Sequence, residues 1–276
     1  MNKQKITSIL EDYGLRPSKK FGQNFLINDE ISQKILSSSL LTEGSRILEI
    51  GPGLGCMTQF LVETGLPVIA VEIDKGYVNV LKDTFYTANN FTLIHDDFLR
   101  FQPDFTFTHL IANLPYYCAS ELIFKVAEFN PEVITVMLQK EMAERIKAKP
   151  GSKSYGLLTV NLTIKYEFHE MFTVGKSNFY PRPDIDSAVI VLKRRENNLI
   201  EENLIPLFKQ ITRSLFWGRR KTIAKCLTSS PHIAAKREDV LKVIEASALD
   251  SNLRAEDLSL TDFVKLTKEF MRLNLA

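Results

Sequence analysis

From residue 46 onward, short apolar runs alternate with helical spacing, and this alternation restricts the chain to very few folds. Residues 46–50, 68–71, 91–94, 110–111 and 133–138 read as strands, with helices between them near 56–65, 76–87 and 119–129. Such a pattern predicts a doubly wound α/β sheet. After Pro150-Gly151 it changes to a helix near 155–164 and strands near 167–174 and 187–193, extra strands at the sheet edge whose hairpin would be antiparallel. Beyond residue 200 only amphipathic segments remain, near 204–216, 237–248 and 261–273, the last opening with Thr261 as a cap. The expected division is therefore 1–199, an α/β domain with an N-terminal extension, and 200–276, a smaller all-α domain, with the boundary in the polar Glu196-Asn-Asn198.

Glu49-Ile-Gly51-Pro-Gly53-Leu-Gly55 follows the first strand and opens the first helix, where glycines let the backbone approach a ligand and the helix N-terminus presents free N–H groups. A nicotinamide-dinucleotide fingerprint needs Gly where Cys56 stands, which argues against a dehydrogenase. S-adenosylmethionine has no pyrophosphate and needs the close approach without the phosphate cradle. Glu72 ends the second strand 21 residues after Gly51, placed to accept hydrogen bonds from ribose hydroxyls, with Asp74 as the alternative. Asp97, after the third strand, suits the exocyclic amine of a bound adenine. Each acid alone also fits a solvated loop, but these features fall at successive carboxyl ends of one parallel sheet, the edge where ligands bind.

The fourth such end carries Asn113-Leu114-Pro115-Tyr116. The Asn113 side-chain carbonyl and the Leu114 backbone carbonyl, followed by a proline that donates nothing, offer two acceptors for one NH2 group. The Tyr116 ring can stack on a flat heterocycle and stabilise positive charge on an alkylated nitrogen. In isolation the tetrapeptide also reads as an Asn-x-Pro turn closing a strand.

Net charge is only +2, yet from residue 193 to 225 nine basic residues face three acidic ones. That excess suggests a phosphate-facing surface, or a solvated helix face. Cys56, Cys118 and Cys226 are odd in number, far apart and without a C-x-x-C pair, which fits a reducing, cytoplasmic compartment. No apolar stretch approaches the roughly 20 residues that span a bilayer, residues 1–5 lack a following signal-peptide core, and the four His show no metal-ligand spacing. No membrane, no metal and a monomeric state are expected.

The sequence resembles the ribosomal RNA adenine N6-dimethyltransferases, most closely the small-subunit enzymes, over nearly its whole length. The resemblance rests on Lys20-Phe-Gly-Gln-Asn-Phe-Leu26, the glycine turn, Glu72, Asp97, the Asn113–Tyr116 tetrapeptide, Phe179-Tyr-Pro-Arg-Pro-Asp-Ile-Asp-Ser-Ala-Val189 and Phe216-Trp-Gly-Arg-Arg-Lys-Thr222. It implies a Rossmann-like methyltransferase sheet that uses S-adenosylmethionine to dimethylate adenosines near the 3′ end of small-subunit ribosomal RNA during ribosome biogenesis. By this resemblance Asn24, Leu26, Gly51, Glu72, Asp97 and Asn113 line the cofactor pocket. Asn113, Leu114 and Tyr116 hold the target base, and Phe179 stacks on it opposite Tyr116. Arg219, Arg220 and Lys221 contact RNA phosphates of the small-subunit RNA or its pre-ribosomal particle. Two places depart from the family pattern: Tyr117-Cys118, where Asn-Ile is common, and Trp217-Gly218, where an extra basic or polar residue is common. A large-subunit methyltransferase conferring antibiotic resistance shares these site residues and differs in the C-terminal part. A non-catalytic nucleic-acid-binding protein on the same fold has no use for an intact Gly51, Asn113 and Tyr116, and a DNA adenine methyltransferase lacks its DNA-reading module here.

Overall fold

A computed structural model describes residues 1–18, 22–233 and 235–275 of the 276. Lys20 and Phe21, the opening of the first family-like segment, lie outside the described residues. In chain order the elements are α1 Lys3–Asp12, β1 Phe25–Leu26, α2 Asp29–Ser38, β2 Ile47–Ile50, α3 Thr58–Glu63, β3 Val68–Glu72, α4 Lys75–Thr84, β4 Phe91–His95, β5 His109–Asn113, α5 Ala119–Glu128, β6 Val133–Gln139, α6 Lys140–Ile146, α7 Leu157–Thr163, β7 Tyr166–Val174, β8 Phe179–Tyr180 and β9 Ser187–Arg194. Four helices follow: α8 Ile205–Phe216, α9 Ile223–Ser229, α10 Arg237–Ala246 and α11 Leu260–Arg272.

Seven strands form one sheet in the order β4-β3-β2-β5-β6-β9-β7. The first five run parallel, and β9 returns antiparallel to β6 with Gln139 opposite Ser187. Strand order reverses between β2 and β5, the switch point at which open α/β sheets leave a crevice beyond their carboxyl ends. The central strands are mostly apolar and deeply buried: every residue of β2 is buried, as are the first four of β5 and the first six of β6, with Glu49, His109 and Thr135 the polar residues among them. His109 on β5 is 2% exposed, with ring nitrogens 2.8 Å from Thr108 Oγ1 and 3.3 Å from the Leu40 carbonyl, and burial holds it below the ordinary imidazole range.

Capping chemistry sets the helix starts. Asp74 accepts from the Gly76 N–H at 2.8 Å to open α4, and Asn28 accepts from Glu30 at 3.0 Å to open α2. The last helix opens at Ser259, not Thr261, because Asp262 returns a bond to the Ser259 N–H and completes a reciprocal capping box that Thr261 has no acid to form.

The chain divides into two compact units, 1–143 with 168–194 and 144–167 with 195–276. The second unit thus takes in a stretch that the expected 1–199 and 200–276 division assigned to the first part. Its apolar residues account for this: Tyr155, Val160 and Ile164 share a core with Phe208, Ile211 and Leu215 of α8 and Phe263 and Phe270 of α11. No helix among the described residues is long and apolar enough to cross a membrane.

Candidate active site

At the switch point the first unit carries an open cleft, where the carboxyl ends of the parallel strands leave room for a ligand. Asn24, Leu26, Gly51, Glu72, Asn113, Leu114 and Tyr116 all line it, with Glu49, Gly53 and Tyr117. The cleft is built from three strand ends and an N-terminal strap.

The glycine turn lies between β2 and β3 and is separate from the helix the sequence assigned to residues 56–65. That helix, α3, begins only at Thr58 and has no side-chain cap. Gly53 has φ +59°, and a Cβ there would stand 3.1 Å from the Phe25 ring, so both conformation and space call for glycine. Its N–H donates to Glu72 Oε2 at 2.9 Å, and the Asp74 N–H donates to Oε1 at 2.8 Å. Each carboxylate oxygen accepts through two lone pairs, which leaves Glu72 capacity for ribose hydroxyls. Burial pushes the Glu72 carboxyl above the ordinary range against the downward pull of those two donors. Asp74, the alternative ribose acid, is taken up by capping α4 and by the Gln23 amide at 3.3 Å.

Beneath the turn, Glu49 is 2% exposed and accepts from Thr58 Oγ1 at 2.7 Å. Burial, reinforced by the nearby Glu72 charge, pushes it up from 4.5 to about 8, so the cleft floor carries a neutral carboxyl at neutral pH. The stability that the protonated form confers is fully present below pH 4.5 and is lost as pH rises through about 8. A Glu49→Gln variant, which cannot ionise, should therefore gain thermal midpoint relative to wild type on going from pH 5 to pH 9. A wild-type-to-variant difference that does not change with pH would contradict this.

The tetrapeptide presents the two acceptors that the sequence suggested. Asn113 Nδ2 donates to the Asn24 backbone carbonyl at 3.0 Å. A carbonyl can only accept, so the amide is oriented with its NH2 on the strap and Oδ1 turned away as an acceptor. The Leu114 N–H donates to the Met137 carbonyl at 3.0 Å, while the Leu114 carbonyl has no partner among the described residues and Pro115 offers no N–H. Tyr116 is half-buried and its hydroxyl lies 2.7 Å from Ser187 Oγ. The Tyr117 ring stands at the rim, 61% exposed.

Two expected residues sit apart from the cleft lining. Phe179 is 3% exposed on β8, directly opposite Leu26 in the β1–β8 pair, so it backs the strap and has no face open to a base as the chain stands. Asp97 lies in the turn after β4, accepting from the Leu99 N–H at 3.0 Å with Arg100 at 3.7 Å. Lys125 of α5 donates to the Leu99 carbonyl at 2.9 Å and fixes that turn.

In the second unit, Arg219 donates to the Lys153 carbonyl at 2.7 Å and lies 3.6 Å from Glu256, whereas Arg220 is exposed and has no acidic partner among the described residues. Lys221 holds its ammonium 3.8 Å from the Trp217 ring centre, its stem passing where a Cβ on Gly218 would be. The Trp217-Gly218 departure is thus a seat for Lys221.

Gln23, inside the Lys20–Leu26 segment, has a role that its sequence position does not reveal. Its Oε1 accepts from the Tyr77 hydroxyl at 2.8 Å and from the Ser18 N–H at 2.6 Å, pinning the strap that carries Asn24. Partners 54 residues apart leave no local sequence signal. No group of three or more His, Cys, Asp or Glu that could hold a metal ion occurs among the described residues.

Residues 14–271 match the family described as ribosomal RNA adenine dimethylase. The "Ribosomal RNA small subunit methyltransferase A" of Listeria monocytogenes serotype 4b (strain CLIP80459) is 37% identical over 277 residues, covering 95% of this chain and 94% of that one. The protein of that name from Treponema denticola is 38% identical over 273 residues, covering 95% and 92%. A crystal structure of a dimethyladenosine transferase from Plasmodium falciparum superposes with a TM-score of 0.78 at 25% identity, covering 91% of this chain and 98% of that one.

Proposed function

The chain belongs to the ribosomal RNA adenine dimethylase family, and from that premise we propose that it dimethylates N6 of adenosines near the 3′ end of small-subunit ribosomal RNA, acting on a pre-ribosomal particle. It is an S-adenosylmethionine-dependent ribosomal RNA adenine methyltransferase. The observation that carries the reading is the pair of acceptors, Asn113 Oδ1 and the Leu114 carbonyl, at the end of β5 beside a carboxylate that closes the glycine turn.

The cleft fits the cofactor: Glu72 keeps lone pairs for two hydroxyls, and the glycine turn has no side chain in the way. When bound, S-adenosylmethionine supplies an electrophilic methyl group on a sulfonium. Everything else falls to the protein. The N6 lone pair of adenine is delocalised into the ring and becomes nucleophilic only as the amine pyramidalises. Bonds from N6–H to Asn113 Oδ1 and the Leu114 carbonyl favour that geometry, and Tyr116 holds the base in line. The alkylated amine is acidic enough to lose its proton to water, so no side chain need act as a base; Asp97, in the turn after β4, stands outside the cleft lining. Target bases are unpaired or flipped to enter. Phe179, buried opposite Leu26 in the β1–β8 pair, supports the strap from behind and leaves the stacking face to Tyr116.

We assign RNA docking to the second unit, with Arg220 and Lys221 as the charges that neutralise phosphates, since Glu256 already faces Arg219. Replacing both with Ala should lower the slope of log K against log salt by about 0.7 to 0.9 per contact, roughly 1.4 to 1.8 in all, without changing cofactor affinity. Adding Arg219→Ala should change the slope less than either of the others. Titrations of small-subunit particles at several salt concentrations test this, and an unaltered slope removes the cluster from the docking surface.

The target itself is tested by incubating purified small- and large-subunit particles with labelled S-adenosylmethionine and identifying the methylated nucleoside. N6,N6-dimethyladenosine confined to the small-subunit RNA is expected. Label in the large-subunit RNA alone would replace this reading with the resistance-type one.

A further inference from the structure

Ser187 is the first residue of β9, wholly buried, with its hydroxyl 2.7 Å from that of Tyr116. The sheet does not need this hydroxyl. A buried OH costs free energy unless it is bonded, and alanine would satisfy the strand equally well. Ser187 is also a fixed point in the fold. It pairs with Gln139 at the end of β6, and the residue before it is tied on two sides: the Asp186 carbonyl accepts from the Lys140 N–H at 3.1 Å, and Asp186 Oδ1 accepts from the Lys176 N–H at 2.9 Å. The bond therefore connects the end of the tetrapeptide to the rigid junction of β6 and β9, 71 residues away in sequence.

We infer that Ser187 is a positioning residue for methyl transfer, holding the Tyr116 ring as the platform on which the target base stacks. The inference rests on the assignment of Tyr116 as that platform. A hydroxyl bond to a tyrosine fixes the direction of the ring's long axis, and because the phenolic O–H lies in the ring plane it also favours one ring rotation. Burial pushes the Tyr116 phenol above its ordinary range, so it stays protonated and able to share this bond. Tyr116 follows Pro115, with the Cys118 N–H returning to the Pro115 carbonyl at 3.3 Å, so the backbone beneath the ring is held as well. With both ends of the side chain fixed, a base enters against a prepared surface instead of selecting one rotamer among several.

The test compares Tyr116→Phe, Ser187→Ala and the double variant in single-turnover methyl transfer to small-subunit particles at saturating cofactor. Cofactor affinity and thermal midpoint are measured beside it. Each single variant should slow transfer about three- to tenfold, the effect of one hydrogen bond, with cofactor affinity unchanged. The double variant should be no slower than the worse single, because both remove the same bond. A wild-type rate in either single variant, or losses that multiply in the double, would overturn the inference. Should Ala at position 187 compromise folding, Tyr116→Phe decides alone: a slowed rate with intact cofactor binding supports the inference, and an undiminished rate overturns it. Failure of the platform assignment looks different, since Tyr116→Ala would then transfer methyl groups at the wild-type rate.

Discussion

Asn113→Ala is expected to slow methyl transfer by about a hundred- to a thousandfold, equivalent to about 2.7–4 kcal/mol in the barrier, the loss typical when one preorganised partner of a charge-developing atom is removed. The Asn113 amide is held before substrate arrives: its Nδ2 is spent on the Asn24 carbonyl at 3.0 Å, so Oδ1 meets the reacting amine without reorganising. Removing it leaves the Leu114 carbonyl as the lone acceptor. The amine can then stay planar and conjugated, and so a poor nucleophile. The fold should persist, because Asn113 is the half-buried last residue of β5 and the four before it are the buried ones. Single-turnover assays separate the rate from binding. Wild-type turnover by the variant would remove Asn113 from the chemistry.

Glu72→Ala should weaken S-adenosylmethionine binding by about 1.5–3 kcal/mol, the range for hydrogen bonds to a charged group. Loss of the carboxylate also strands the Gly53 and Asp74 N–H groups that it now satisfies at 2.9 and 2.8 Å, which loosens the glycine turn. Gln at this position keeps the shape but brings an NH2 toward one of two N–H donors, so it should not restore full affinity. Calorimetry with S-adenosylmethionine and with NAD decides: unchanged affinity in the variant, or wild-type preference for NAD, overturns the cofactor assignment.

The parts of this fold that can be read in the sequence are those whose burial leaves a local record. Strands β2, β5 and β6 are almost wholly buried and so appear as largely apolar runs, and the carboxyl ends of β2, β3 and β5 are where the sequence places Gly51, Glu72 and Asn113. Elements defined by partners distant in sequence leave no such record. The two-residue strands β1 and β8 exist only because Phe25 meets Tyr180 and Leu26 meets Phe179. For the same reason the pinning of the strap by Gln23, the seating of Asn113 on Asn24, 89 residues away, and the Ser187 bond to Tyr116 stayed hidden inside motifs whose residues were visible. Glu49 was legible as part of the glycine motif, but its neutral state follows from burial beside Glu72, which a sequence does not state. Helix α11 starts at a reciprocal cap between Ser259 and Asp262, two residues before the Thr261 that its amphipathic spacing points to. Helix α7 reads as a continuation of the α/β part until Val160 and Ile164 are seen in one core with α8.

The most direct test of the central claim is a map of N6-methylated adenines in ribosomal RNA from cells with and without this protein. Dimethylated adenosines near the 3′ end of the small-subunit RNA should vanish with the protein, return when it is restored, and fail to return with Asn113→Ala. An unchanged small-subunit map in its absence would contradict the account.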